Sequence, residues 1–500
     1  MTSFFRRALA TAAVAGLIGG VLLTAPAVLA GDNQTYVVLY KAHNANGADR
    51  LVRDAGGTLV ASYPKIGVVI ARSSNPAFAD AIKRDARIEG AGSTAGLAMK
   101  IDTDLVAGPP PGDLPNSPVN DTAETFWPLQ WDMRQIEVDD AHAITGGSPE
   151  VVVGDLDTGL DKDHPDLIPN IAWDKSASCE SGAPVTAPAA WDDHQGHGTH
   201  TAGTIAAAAN GLGVVGVAPN VKIAAIKSSN DDGYFFPEMV ICAFMWAGTH
   251  GIDVTNNSYF ADPWLYNCKN DPGQRAIWKA ESRAIKFAMQ NGVAVVASAG
   301  NENQDLAHPT IDTISPDFPP GSAVARDITN ACIRIPAEIP GVVTVTATGA
   351  KGDKSYYSDY GIGVVDVAAP GGDRLFQVDA AAGALNGRVL STYILEQPTG
   401  SLVLQDCKPI IGCGKYAYLQ GTSMAGPHVA GVLALIESRY GPMSSGAAIS
   451  ILEQTADEHA CPAEFNPGPP FNFAADCQGG VGNNGFYGHG EVNAYEAVTK

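Results

Sequence analysis

Three short phrases built from small residues hold the side chains that can do chemistry. In the run 421–431, Gly-Thr-Ser-Met-Ala-Gly-Pro-His-Val-Ala-Gly, Ser423 stands at the mouth of a helix whose Val429, Val432, Leu433 and Leu435 fall at helical spacing. A serine there is either an N-cap or a nucleophile whose own N–H, at the positive end of the helix dipole, can hold an oxyanion. Pro427 fits this start, because first-turn N–H groups have no intrahelical partner. A serine hydroxyl attacks an amide only with a base beside it and a third group orienting that base. Asp157 closes the apolar run 151–157, at the carboxyl end of a buried strand, where functional groups gather in open α/β sheets. The competing role, a turn or capping aspartate, suits Asp161, Asp163 and Asp166 better. His197 lies between Gly196 and Gly198, with nothing bulky to shield its ring, while His200 reads as a packed core histidine. The pair also has the His-x-x-His spacing of a zinc site, but no HExxH or cysteine pair supplies a third ligand.

Four phrases in order extend this reading. They are Asp157-Thr158-Gly159 with His164-Pro165-Asp166-Leu167, then His197-Gly198-Thr199-His200, then Ala297-Ser298-Ala299-Gly300-Asn301, then Gly421-Thr422-Ser423-Met424-Ala425. Together they resemble the subtilisin family of serine proteases, over most of residues 125–500. The resemblance implies that Ser423 attacks a peptide carbonyl and that His197 takes its proton and passes it to the leaving amine. It implies that Asp157 fixes the His197 tautomer, and that the Asn301 side chain and the Ser423 N–H hold the oxyanion. Ser258 and Gly300 fall at substrate-binding positions. No catalytic cofactor is implied. A structural calcium site is, with Asp166 and Asn210 as ligands and carbonyls of 210–214 beside them. The family's N-terminal ligand has no match, since Trp127 lies near that place, and a solvated turn is the alternative.

The chain departs from the family at the cleft. Ser258-Tyr259-Phe260-Ala261 stands where subtilisins carry small glycines, and Gly233-Tyr234-Phe235-Phe236 adds aromatic bulk to the second substrate strand. These rings either crowd the rim or pack inward, the ordinary fate of phenylalanine. Extra segments at 262–275, 302–335 and 374–416 border the cleft, and loops of that length are commonly functional. The expectation is a specificity narrower than that of a digestive subtilisin.

The 500 residues are 45% hydrophobic and 17% charged, enough for a large core and a smaller domain. A net charge of −22 excludes nucleic acid as a partner, because neutralising phosphates takes clustered Lys and Arg. Arg6-Arg7, the apolar stretch 8–28 and Val28-Leu29-Ala30 read as a signal peptide over 1–30, with a membrane anchor as the alternative. The expected protein is secreted, extracellular, monomeric and free of the membrane once the signal is removed. Its partners are a protein or peptide substrate and its own propeptide. Eight cysteines after a signal peptide suggest disulfides. Spacing alone only suggests the pairs among 105 pairings: Cys407 with Cys413 and Cys461 with Cys477 would close short loops, and Cys242 with Cys268 and Cys179 with Cys332 are guesses for the rest.

The elements that must position these residues follow from periodicity. Residues 33–100 read as strand 35–40, helix 46–55, strands 58–63 and 67–71, and helix 76–84, a ferredoxin-like pattern. This unit, 31–100, resembles the propeptide that folds and then inhibits subtilisins; a permanent accessory domain is the other reading. A Pro-rich linker spans 101–125. From 126 to 500, short apolar runs at 151–156, 222–227, 252–256, 293–299, 342–347 and 364–368 alternate with helical stretches, including a crossover helix at 280–291. The expected fold is α/β, a mostly parallel sheet between helices in three layers, preceded by a small ferredoxin-like α+β domain.

Overall fold

Val152–Asp157 is buried along its whole length, as a strand covered on both faces must be. In the computed structural model, which describes residues 33–41, 45–94, 121, 123–261, 264–319, 321–469 and 473–500, this strand is central to a sheet of seven. The expected signal peptide and nearly all of the linker lie outside the described residues.

The N-terminal unit runs β1 (Gln34–Tyr40), α1 (Ala48–Asp54), β2 (Thr58–Tyr63), β3 (Val68–Ser73), α2 (Phe78–Ile82) and β4 (Ile88–Ser93). Its antiparallel order is β2-β3-β1-β4. The last strand extends the expected pattern. Its sequence, Ile-Glu-Gly-Ala-Gly-Ser, has two glycines that weaken any strand signal. Both are there for close approach: a Cβ at Gly90 would lie 3.1 Å from Ala276 Cβ, and one at Gly92 3.1 Å from Gly273 O.

The main sheet comprises β5 (Val152–Asp157), β6 (Ala177–Ser178), β7 (Lys222–Lys227), β8 (Val254–Asn257), β9 (Ala294–Ser298), β10 (Val343–Thr348) and β11 (Val367–Pro370). Every neighbouring pair is parallel, in the order β11-β10-β9-β8-β5-β7-β6. Alternate residues face opposite layers. Val153, Ile223, Ala225, Val254 and Val296 pack with α3 (His197–Ala206) and the long helix Thr422–Tyr440. Val152, Leu156, Ala224, Ile226 and Val295 pack with α4 (Pro237–Ala247) and α5 (Pro272–Gln290). Each fully buried Val or Leu of these layers contributes roughly 1.5–3 kcal/mol over an exposed one. The crossover helix α5 begins at Pro272, eight residues before the expected start, because the Asp271 side chain caps it by accepting from Gln274 N. The N-terminal unit lies on α4 and α5, with Val37, Leu39, Val68 and Ile70 in the same cluster as both helices.

The extra segment 374–416 supplies most of a second antiparallel sheet, β12 (Val389–Tyr393), β13 (Val403–Lys408) and β14 (Gly412–Leu419), ordered β12-β14-β13. It sits on α3, where Ser391 and Thr392 donate to the carbonyls of His200 and Thr199. The long helix that follows is α6 (Thr422–Tyr440).

Two of the four expected disulfides are corrected. Cys179 pairs with Cys242 and Cys268 with Cys332, in place of Cys242 with Cys268 and Cys179 with Cys332. Cys268 and Cys332 face each other across a short antiparallel ladder, and Cys179 follows β6, beside the α4 cysteine. Cys407–Cys413 and Cys461–Cys477 are paired as expected. Among the described residues, no helix is long and apolar enough to cross a membrane.

Candidate active site

Asp157 ends β5 with no exposed surface, and His197 opens α3. The two meet at 2.7 Å, His197 Nδ1 to Asp157 Oδ1, and Thr158 N donates to the same oxygen at 2.7 Å. A carboxylate can only accept, so Nδ1 carries the proton and Nε2 keeps its lone pair. Asp193, which sequence reasoning missed, ties these elements together. Its Oδ1 accepts from Thr158 Oγ1 (3.0 Å) and its Oδ2 from Thr199 N (3.0 Å) and Oγ1 (2.7 Å). Asp155, one pleat below Asp157, accepts from Thr201 and Asn256, and burial, reinforced by the Asp157 charge, pushes its carboxyl far above the usual range. His200 is the packed histidine expected of it, buried against Ala417 O at 3.0 Å and pushed down to about 3 by desolvation.

Ser423 is the second residue of α6, so Gly421 and not Ser423 holds the N-cap position. Its Oγ donates to Ser258 O (3.1 Å), while Ser258 Oγ donates back to Ser423 O (3.0 Å). Asn301 follows β9. Its Oδ1 accepts from Thr422 N (2.9 Å) and Thr422 Oγ1 (3.0 Å), which leaves the Nδ2 end, a pure donor, for the cleft. His197, Ser258, Gly300, Asn301 and Ser423 line one cleft of about 320 Å³, with Asp157 behind His197. The arrangement has the parts of a nucleophilic device: a hydroxyl at a helix N-terminus, an oriented imidazole, and a side-chain amide donor.

The aromatic residues divide. Phe235 and Tyr259 are buried, stack at 4.2 Å with planes 6° apart and line the cleft, while Tyr234 packs edge-on against Phe318. Phe260 stays half-buried on the cleft wall. The segment 302–335 adds Glu302, Arg334 and Ile335 to the same wall.

Asp166 and Asn210 lie elsewhere, in contact: Asn210 Nδ2 donates to Asp166 Oδ1 at 3.0 Å and Tyr416 OH to Asp166 Oδ2 at 3.1 Å. Glu124, three residues before Trp127, was not anticipated. Its Oε1 accepts from Gly211 N at 2.8 Å, but its buried Oε2 has no hydrogen-bond partner among the described residues. Burial pushes Glu124 up to about 7 and Asp166 well above its usual range, the latter also through the Glu124 charge. Asn210 Oδ1 accepts from Leu212 N at 2.9 Å, so Glu124 Oε2 is the one side-chain oxygen of these three residues without a hydrogen-bond partner, and among the described residues no group of three or more His, Cys, Asp or Glu could hold a metal ion; two carboxylates and an amide oxygen are nonetheless hard donors of the kind calcium takes.

Comparison with known proteins gives the family. Residues 148–490 match the profile described as the Subtilase family, peptidase S8. M-protease of Shouchella clausii (strain KSM-K16) is 31% identical over 374 residues, 74% of this chain and 70% of the relative. Subtilisin BL of Lederbergia lenta is 30% identical over 374 residues, covering 74% and 99%. Fervidolysin of Fervidobacterium pennivorans is 30% identical over 349 residues; the match takes in 68% of this chain and 42% of fervidolysin. The crystal structure of the epidermin leader peptide processing serine protease EpiP from Staphylococcus aureus shares the fold, with a TM-score of 0.65 at 24% identity over 93% of this chain and 98% of that one. That of a lanthipeptide protease gives 0.53 at 25% identity, over 79% and 99%. The chain belongs to the subtilase family of serine-type endopeptidases.

Proposed function

We propose that this chain is a secreted endopeptidase, made as a precursor and processed by its own active site, that cleaves peptide bonds through an acyl-enzyme. The observation that carries this reading is the buried 2.7 Å bond between Asp157 and His197 behind a cleft that also holds Ser423 and Asn301. Ser423 Oγ bonds to the substrate carbonyl carbon as His197 Nε2 takes the hydroxyl proton. The carbonyl electrons move onto oxygen, held by Asn301 Nδ2 and Ser423 N–H. His197 then protonates the leaving nitrogen as the C–N bond breaks, and Asp157 stabilises the imidazolium in between. Water repeats the sequence on the acyl group and frees Ser423. Each oxyanion donor is worth ~10²–10³ in rate.

Residues 31–100 act as the inhibitor-like propeptide. Contacts with the larger domain support this: Arg283 of α5 donates to Tyr40 O (3.0 Å), Ile66 O (3.2 Å) and Glu89, and Tyr63 to Gly182 O of the turn after β6 (2.8 Å). Glu124, Asp166 and Asn210 would hold a calcium ion, which would balance two buried carboxylates and order the loop 210–214 without entering the chemistry. A narrower reading, a maturation protease for one peptide, draws support from Phe260 on the cleft wall and from the likeness to a lanthipeptide protease.

The test compares the intact mass of secreted wild type and Ser423→Ala. The wild type should lose the segment up to the Pro-rich linker while the variant keeps it. Loss of the same segment by both, or by neither, removes self-processing; activity on an added peptide then decides whether an endopeptidase remains.

A further inference from the structure

Asn301 can act on developing charge only if its amide is held still, yet the loop that carries it, 299–304, has no regular secondary structure. Its groups end on a buried ion pair. Arg334, 1% exposed, donates through Nη1 to Ala299 O (3.3 Å), to Glu302 Oε2 (2.7 Å) and to Asp359 Oδ2, and through Nη2 to Gln304 Oε1 (3.3 Å). Asp359, fully buried, accepts from Glu302 N (3.2 Å) and Gln304 N, and its own N–H donates to Gly300 O (2.9 Å). Glu302 Oε2 in turn accepts from Asn301 N at 3.1 Å. Gly300, at φ +120°, rests on the pair, where any Cβ would collide with Arg334 Nη1 and Asp359 Oδ2. The guanidinium itself lies over the Tyr266 ring, 4.8 Å from its centroid.

We propose that Arg334, paired with Asp359, is a positioning residue for the proposed oxyanion donor: it holds 299–304 in the backbone path that aims Asn301 Nδ2 into the cleft. The inference rests on the role proposed for Asn301. A buried ion pair is by itself weak evidence for stability. Here the planar fork serves a loop carbonyl, two carboxylates and an amide oxygen at once, which a lysine's single ammonium cannot do. A misplacement of about 1 Å arising away from the reacting atoms can cost about 10²-fold. Loss of Arg334 therefore approaches the cost of losing Asn301, and the two losses do not multiply.

The experiment is a double-mutant cycle on the full-length chain, with active sites titrated and kcat and KM read separately on a peptide amide. The single variants are Asn301→Ala, Arg334→Met and Arg334→Lys. Arg334→Lys keeps a buried positive charge beside Asp359, so it remains folded if Arg334→Met does not, and its melting temperature is measured alongside. We expect Arg334→Lys to lower kcat by about 10-fold or more and Arg334→Met by about 10²-fold, with KM within about threefold. In either background Asn301→Ala should then cost far less than its ~10²–10³ in the wild type. If Arg334→Lys keeps full kcat, or if the losses at 301 and 334 multiply, Arg334 is only a structural residue and the inference fails. If Asn301→Ala alone leaves kcat unchanged, the assignment of Asn301 fails and takes the inference with it.

Discussion

Glu238, near the start of α4, sits under the N-terminal unit, and its burial predicts that release of that unit, proposed above as the propeptide, depends on pH. It is 7% exposed, against a loop and a strand: a Cβ on Gly182 would touch both Glu238 Cβ and Ile70 Cγ2 of β3. Thr94, the last described residue of the unit, hydrogen-bonds to it, Arg72 of β3 is the cation that faces it, and the Glu238 charge in turn helps burial to raise Glu281 of α5 well above its usual range. Its Oε2 is buried without a partner among the described residues. Desolvation raises the carboxyl from 4.5 to about 7. Because the docked value lies above the free one, docking is fully favoured below about pH 4.5 and weakens as pH rises through 7. The gap of about 2.5 pH corresponds to roughly 3 kcal/mol, or about 10²-fold in affinity, an upper bound because the helix that carries Glu238, and Glu281 of α5, stay beside it after release. Glu89 works the other way. Held down by Lys279 and Arg283, it loses its contribution as pH falls below the usual carboxylate range, outside this window. The assay takes the self-cleaved, non-covalent complex and measures the inhibition constant of the released unit from pH 4.5 to 7.5. The wild type should weaken measurably, by up to about 10²-fold, and Glu238→Gln by clearly less. Equal weakening in both, or tighter docking at higher pH, refutes the reasoning.

Two further outcomes follow from the cleft and the cation site. Phe260→Gly should open the wall and raise kcat/KM for bulky side chains by about 10-fold or more in a diverse peptide library; an unchanged profile would show that Phe260 does not restrict the cleft. Chelation should lower the melting temperature of the wild type, and far less that of Asp166→Asn, because the ion would balance Asp166 and Glu124. Equal response of the two proteins to chelator would count against calcium at this place.

Much of the site was legible because its chemistry sits in local phrases. Asp157 ends a strand, Asn301 comes three residues after one, and His197 and Ser423 stand in the first turn of a helix, so periodicity and the neighbouring glycines mark them. Arg334 and Asp193 carry no such mark. Arg334 lies in an extra segment and gains its meaning from Asp359, on another loop, while Asp193 does so by joining Thr158 to Thr199. Glu124 was hidden for a related reason: its partner Gly211 is distant in sequence. The strand β4 escaped because its glycines answer to the surface of α5 and not to strand propensity. The disulfide exchange has the same origin, since the ladder that sets Cys268 against Cys332 joins two extra segments whose pairing exists only in the fold. Which of the aromatics at 234–236 and 259–260 reach the cleft was equally a tertiary matter: Phe235, Tyr259 and Phe260 line it, while Tyr234 and Phe236 pack against Phe318.

The most direct measurement treats wild type and Ser423→Ala with an aryl fluorophosphonate and maps the adduct by peptide mass. The account predicts a single phosphonyl group on Ser423, loss of peptidase activity in step with labelling, and no adduct on the variant. Labelling of a different residue, or a wild type that cleaves peptides while Ser423 stays unlabelled, would contradict it.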